Sequence, residues 1–120
     1  MSLNTVLVVD DEPSILKFVA AALRNSGYVV LQAADGVTAL ELAAQHQGPI
    51  DVLLTDVRMP GLLGPEVCKR LRQQHPETHC LLMSGYPDGV DVSGVAFLEK
   101  PFRIPDLLQS VRQVLDTTPG

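Results

Sequence analysis

The sequence predicts an α/β fold, a three-layer αβα sandwich in which a parallel sheet lies between two layers of helices. Strand-like and helix-like segments alternate along the 120 residues. The strand-like segments are almost entirely apolar, which is typical of parallel strands that are covered on both faces. Hydrophobic residues make up 46% of the chain and Trp is absent, so we expect a core of Val, Leu, Ile and Ala.

Five short apolar runs, each bounded by polar or turn-forming residues, are predicted to form the strands. They cover residues 5–10, 28–33, 51–56, 79–84 and 95–100. Right-handed crossover connections are expected between consecutive strands.

Four other segments have the apolar spacing of amphipathic helices. They cover residues 12–27, 35–48, 64–76 and 105–117. Pro13 suits the first turn of the first helix, and Gly27 is expected to end that helix. Asp35 is expected to cap the second helix, which Gly48 closes.

The connection between the fourth and fifth strands has an unusual composition. Its sequence GYPDGVDVSGVA contains three Gly, one Pro and two Asp. These residues oppose helix formation. We therefore expect the helix of this connection to be a single short turn or absent.

Composition excludes several classes of function. The net charge is −5 and the sequence pI is about 4.9, which argues against a nucleic-acid-binding surface. No apolar run approaches the roughly 18 residues of a membrane span, and the N-terminus has no secretory signal pattern. The length suits a single domain over 1–120, which is expected to be cytoplasmic.

The two cysteines, Cys68 and Cys80, form neither a CxxC motif nor a zinc-binding pattern. We expect both to be free, buried thiols in a reducing compartment. A disulfide between them requires a geometry that the sequence does not reveal.

Polar residues follow the predicted strands at their carboxyl ends. Asp10 and Asp11 follow the first strand, Asp56 the third, Ser84 the fourth and Lys100 the fifth. In open parallel sheets, ligands bind beyond these ends, near the point where the strand order reverses. If the order is 2-1-3-4-5, the first and third strands are neighbours and the three carboxylates converge.

Converging carboxylates repel one another unless a cation joins them. Mg²⁺ prefers oxygen ligands and leaves coordination positions for phosphate oxygens. The Lys100 ammonium, the Ser84 hydroxyl and the unobstructed backbone N–H of Gly85 suit a transferring phosphoryl group, and one of the carboxylates would be the nucleophile.

Four motifs resemble those of the response-regulator receiver domain of two-component signalling. They are VVDDE, TDVRMPG, MSGY and FLEKPF, and the resemblance covers about residues 4–117. It implies a flavodoxin-like, doubly wound sheet of five strands in the order 2-1-3-4-5, which is the order known for this family.

The resemblance also implies a role for each residue of the acidic edge. Asp56 would be the phosphoacceptor, and Asp11 would bind Mg²⁺ directly. Asp10 would hold the ion mainly through water, and the backbone carbonyl of Arg58 would be a further ligand. Lys100 would contact the phosphoryl group.

A second group of residues would act as a switch. Ser84 would hydrogen-bond to the phosphoryl group, with Gly85 beside it, and Phe97 matches the family's aromatic switch position. The Lys100–Pro101 peptide is expected to be cis by the same resemblance.

The implied phosphoryl donor is a histidine kinase or a phosphotransfer protein, and the downstream partner is unknown. The motif set looks more like a receiver attached to a hybrid sensor kinase than one attached to a DNA-binding regulator. A domain of this kind is not a turnover enzyme, because it catalyses only its own phosphorylation and slow hydrolysis.

The sequence leaves three alternatives to a phosphoacceptor function. A degenerate receiver that binds a partner without phosphorylation is favoured only by the eroded connection after the fourth strand. A Mg²⁺-dependent phosphohydrolase would need a second carboxylate shortly after Asp56, where Arg58 stands. A nucleotide-binding fold is disfavoured because no G-x-G-x-x-G follows the first strand.

Overall fold

The computed structural model describes residues 3–85 and 94–116. Five parallel strands form one sheet in the order β2-β1-β3-β4-β5, which confirms the predicted topology. The strands are β1 (Thr5–Val9), β2 (Val29–Ala33), β3 (Val52–Asp56), β4 (His79–Ser84) and β5 (Ala96–Glu99).

Within the described residues, four α-helices cover the two faces of this sheet. They are α1 (Pro13–Asn25), α2 (Gly36–Gln45), α3 (Gly64–Gln74) and α4 (Ile104–Leu115). Pro13 occupies the first turn of α1, and Gly27 follows that helix with a φ of 95°, a conformation that glycine adopts without steric cost. The Asp35 carboxylate accepts the backbone N–H of Thr38 at 2.7 Å, so the predicted cap of α2 is confirmed.

Successive residues of β1 belong to opposite faces of the sheet. Val6 and Val8 pack into a cluster with α1 and α4, and Leu7 and Val9 pack into a second cluster with α2 and α3. All four side chains are fully buried. This two-sided burial explains why the strand reads as a continuous apolar run rather than an alternating one.

The prediction for the connection between β4 and β5 falls mostly on residues 86–93, which lie outside the described residues. The described residues of that connection, Gly85, Gly94 and Val95, are not helical.

The expectation of two free thiols is wrong, because Cys68 and Cys80 form a disulfide. Cys68 lies on α3 and Cys80 on β4, and packing of the helix on the sheet places their Cα atoms 6.2 Å apart. This separation lies within the range that disulfides span. The two cysteines meet through tertiary packing, so their spacing of 12 residues along the chain did not indicate the disulfide.

Within residues 3–85 and 94–116, no helix has the length and apolarity that crossing a membrane would require.

Candidate acidic site

The acidic site lies at the carboxyl edge of the sheet, where β1 and β3 end side by side. Val9 pairs with Thr55, so the next residues along each strand, Asp10 and Asp56, come together. One carboxylate oxygen each of Asp10, Asp11 and Asp56 lies within 4.8 Å of the others. Asp10 and Asp56 are buried, whereas Asp11 is exposed. The predicted convergence of the three carboxylates is confirmed.

Both oxygens of Asp10 have partners in the protein. Its Oδ1 accepts the backbone N–H of Glu12 at 2.9 Å, and its Oδ2 accepts a hydrogen bond from Lys100 Nζ at 2.9 Å. Lys100 Nζ also lies 3.6 Å from Asp56 Oδ2. The ammonium therefore bridges the two buried carboxylates and compensates part of their negative charge.

The pKa of Asp56 is raised above its usual value near 3.8. Burial is the largest cause, because it disfavours the charged carboxylate, and the negative charges of Asp10 and Asp11 act in the same direction. The positive charge of Lys100 and a hydrogen bond from the backbone N–H of Val57 oppose this rise only in part. The positive charge near Asp56 therefore does not offset the cost of ionising its carboxyl group at this site.

Ser84 and Lys100 are held together by the pairing of β4 with β5. Ser84 pairs with Glu99, and the backbone N–H of Lys100 donates to the Ser84 carbonyl at 2.9 Å. Ser84 is buried, and a Cβ added at Gly85 would meet nothing closer than the Lys100 carbonyl oxygen at 3.8 Å. The Lys100–Pro101 peptide is cis, as expected.

Phe97 and Arg58 lie at the periphery of this arrangement. Phe97 pairs with Leu82 in the sheet, and its half-buried side chain lines a cleft of about 310 Å³ together with Leu81 and Gln113. Arg58 follows Asp56 by two positions and has an exposed side chain.

A larger cleft opens beside the carboxylates. It has a volume of about 610 Å³ and runs between α1 and the residues that follow β5. Phe18, which is 43% exposed, lines one side, and Lys100 and Phe102 line the other. The cleft gives an approach to Lys100 from solvent.

Sequence reasoning missed the contribution of Gly64 to this site. Gly64 begins α3, and its backbone N–H donates to the Val57 carbonyl at 2.8 Å. A Cβ at this position would overlap the backbone carbonyl oxygen of Asp56. The pair Gly64-Pro65 indicated only a helix start, and the approach to Asp56 is visible only in three dimensions.

The response regulator receiver domain model matches residues 6–112 of this chain. Among curated proteins, the sensor kinase CckA of Brucella abortus is 35% identical in an alignment of 118 residues that covers 93% of this chain and 12% of CckA. The probable transcriptional regulatory protein TcrX of Mycobacterium tuberculosis is 36% identical in an alignment of 120 residues that covers 95% of this chain and 50% of TcrX.

Two solved structures are similar over almost the whole chain. The receiver domain of the hybrid histidine kinase CckA has a TM-score of 0.84 at 40% identity, covering 94% of this chain and 100% of that domain. The chemotaxis protein CheY4 of Vibrio cholerae has a TM-score of 0.83 at 34% identity, covering 94% and 99%.

This chain spans half or less of the length of these curated relatives. The match over residues 6–112, the strand order and the two similar structures agree with one another. The chain belongs to the response regulator receiver domain family of two-component systems.

Proposed function

We propose that this domain is a phosphoacceptor switch in which Asp56 takes a phosphoryl group from a phosphohistidine. The observation that carries the proposal is the position of Asp56, a buried carboxylate with a raised pKa beside Asp10, Asp11 and Lys100. A buried carboxylate among other negative charges is the group that gains most from neutralisation. The donor is a histidine kinase or a phosphotransfer protein.

In the transfer step, an Asp56 carboxylate oxygen attacks phosphorus and forms a new P–O bond. The P–N bond to the donor imidazole breaks, and the imidazole leaves with the bonding electron pair. The Lys100 ammonium, 3.6 Å from Asp56 Oδ2, stabilises the negative charge on the transferring oxygens. Lys100 also holds Asp10 at 2.9 Å, so its ammonium is already oriented before the donor arrives.

The carboxylate set fits a magnesium ion. Three oxygens within 4.8 Å of one another form the hard donor set that Mg²⁺ selects. Asp11, which is exposed, would bind it directly, and Asp10, whose oxygens already have partners, would bind it mainly through water. Asp56 and the backbone carbonyl of Arg58 complete the proposed ligand set. The ion would supply positive charge to the phosphoryl oxygens.

The response to phosphorylation is assigned to the residues on β4 and β5. The Ser84 hydroxyl and the Gly85 N–H bind the phosphoryl oxygens, and this draws the start of the β4–β5 connection toward Asp56. Phe97 then changes its side-chain position, since the cleft of about 310 Å³ that it lines leaves room for a second rotamer. The changed surface signals to a downstream protein.

In this proposal the chain is one receiver domain over 1–120 that works in the cytoplasm and does not itself bind nucleic acid. Its net charge of −5 supports the last point. The similarity to the CckA receiver supports attachment to a hybrid kinase. The domain catalyses only its own phosphorylation and slow dephosphorylation.

The test is phosphorylation by acetyl phosphate with Mg²⁺, read by mass spectrometry of the intact protein. We expect the wild type to gain one phosphoryl group and Asp56→Asn to gain none. Asp51→Asn is the matched control, because Asp51 stands just before the other end of β3 and an Asn there still accepts the Thr5 N–H. This control is expected to label like the wild type.

Labelling of Asp56→Asn to the wild-type extent would show that another residue is the acceptor. A folded wild type that stays unlabelled would instead favour the degenerate receiver, which binds its partner without phosphorylation.

A further inference from the structure

A second cleft, on the α3 side of the molecule, reaches the Cys68 end of the disulfide and is lined by two cationic side chains. Its volume is about 480 Å³. It is lined by Pro65, Cys68, Lys69, Arg72, Pro76 and Val95. Cys68 is 6% exposed, so it contributes to the wall of the cleft rather than projecting from it.

We propose that Cys68 and Cys80 form a thiol–disulfide exchange site, and that this cleft admits a small anionic thiol of the glutathione class. The site is separate from the carboxylates, and its chemistry does not depend on phosphorylation. The cellular thiol pool would reversibly reduce the Cys68–Cys80 disulfide and allow it to form again.

The charge of the cleft supports an anionic reactant. Lys69 and Arg72 line it together, and the acidic residue one turn before Arg70 on the same helix, Glu66, is already paired with Arg70 at 3.0 Å. Glutathione carries two carboxylates and one ammonium, and its reactive form is a thiolate. Cationic side chains favour the approach of this anion, and they stabilise the Cys68 thiolate that is released in the second step.

The exchange proceeds in two balanced steps. A glutathione thiolate attacks the Cys68 sulfur, a mixed disulfide forms there, and Cys80 leaves as a thiolate that takes up a proton. A second glutathione thiolate attacks the glutathione sulfur of the mixed disulfide and releases Cys68 as a thiolate. The net result is two protein thiols and one glutathione disulfide, so the two electrons come from glutathione.

The position of the cross-link gives the exchange a structural consequence. Cys68 lies one turn after Gly64, whose backbone packs against the Asp56 carbonyl. Cys80 is the second residue of β4, the strand that ends at Ser84. The disulfide therefore links α3, which packs against the backbone of Asp56, covalently to β4, which carries Ser84. Opening the bond leaves only noncovalent packing between these two elements.

The first experiment uses the full chain with glutathione and counts thiols by mass spectrometry after alkylation in denaturant. We expect no free thiol after treatment with glutathione disulfide and two free thiols after excess reduced glutathione. Two thiols that never join under oxidising conditions would overturn the proposal.

The second experiment locates the reactive sulfur. Cys80→Ser is expected to form a mixed disulfide at Cys68 with glutathione disulfide faster than Cys68→Ser forms one at Cys80. Equal rates, or faster reaction at Cys80, would overturn the assignment of the cleft as the point of entry. The wild-type thiol count remains informative should either serine variant fail to fold.

The third experiment tests the charge of the cleft with a matched pair. Arg72→Gln removes a cleft cation, whereas Arg112→Gln removes an exposed cation of α4, which packs on the other face of the sheet and does not line the cleft. Reduction by glutathione is expected to slow by about twofold to fivefold in Arg72→Gln at low salt. The rate for Arg112→Gln should stay near that of the wild type. Equal slowing of both variants would overturn recognition by the cleft.

Discussion

Asp56 shows how the protonation of one side chain depends on its neighbours. Burial and the charges of Asp10 and Asp11 disfavour its ionised form, and Lys100 compensates only partly. A folded-state pKa above the unfolded value means that folding is linked to proton uptake at this residue. The contribution of protonated Asp56 to the stability of the folded state is complete at pH values below the pKa of the unfolded chain. This contribution is lost as the pH rises through the raised pKa of the folded state.

This linkage predicts the pH dependence of an Asp56→Asn variant. In magnesium-free buffer with a chelator, the variant should be more stable than the wild type at neutral pH, because it lacks the buried charge. The difference should shrink as the pH falls and vanish below about pH 3.8, where Asp56 is protonated in both states. Urea unfolding of both proteins at a series of pH values measures it.

Glu41→Gln is the control for this comparison, since it removes an exposed carboxylate from α2 rather than a buried one. An Asp56→Asn variant that is less stable than the wild type at neutral pH would contradict the assigned burial cost.

Single residues also show what sequence reasoning captures and what it does not. The positions of Asp10, Asp11 and Asp56 were predictable, because the ends of neighbouring parallel strands must share an edge. The direct pairing of Lys100 with Asp10 was not predictable. The motifs suggest that Lys100 contacts a phosphoryl group, but they do not indicate which side chain its ammonium pairs with when no phosphoryl group is bound. Side-chain pairing depends on rotamers that no spacing reveals.

Among the elements, α3 depends most on a contact with the site. Its first residue has no room for a side chain, because the backbone of Asp56 occupies that space. The helix start and the end of β3 are therefore fitted to each other, and the N–H of Gly64 fixes their separation through Val57. A shift of α3 would be transmitted to Asp56.

We predict that Gly64→Ala lowers the free energy of unfolding by about 1–3 kcal/mol, because the added methyl group forces two backbones apart. It should also slow labelling by acetyl phosphate, since Asp56 must move. Chemical denaturation and mass spectrometry measure the two effects.

Gly85→Ala is the matched control for the stability measurement, as its methyl group would meet nothing closer than 3.8 Å. Equal stability of Gly64→Ala and Gly85→Ala would show that α3 does not need this close approach.

The bounds of the elements were predicted to within about one turn, and the largest error has a local cause. The pattern extended α2 to residue 48, whereas the helix ends at Gln45 and His46 is already extended. Pro49 restricts the preceding residue to non-helical conformations, and Gly48 adopts a φ of 102°.

At the scale of the whole molecule, repulsion among the three carboxylates lowers the stability of the fold, and a bound cation would relieve it. We predict that Mg²⁺ raises the thermal midpoint of the wild type, because the ion binds the assembled site and not the unfolded chain. At 100 times its dissociation constant the gain would be about 2.7 kcal/mol. Calorimetry with and without Mg²⁺ measures it.

Asp11→Asn is expected to lose most of this gain, and Asp51→Asn, remote from the three carboxylates, should keep it. An undiminished gain in Asp11→Asn would remove Asp11 from the proposed metal site.

The sheet order and the αβα layers were predictable because apolar runs, helix periods and strand-end motifs agreed. The disulfide was not, since Cys68 and Cys80 meet only through the packing of α3 on the sheet. Spacing along the chain carries information about local elements and motif order, but it does not determine which side chains on different elements touch.

The ion pair between Lys100 and Asp10 joins residues that are 90 positions apart. During synthesis on the ribosome, the nascent chain therefore holds its first aspartates long before their cationic partner has been translated. The acidic site is assembled only after β5 has emerged and docked, so a chain that ends before Lys100 lacks the cation that bridges Asp10 and Asp56.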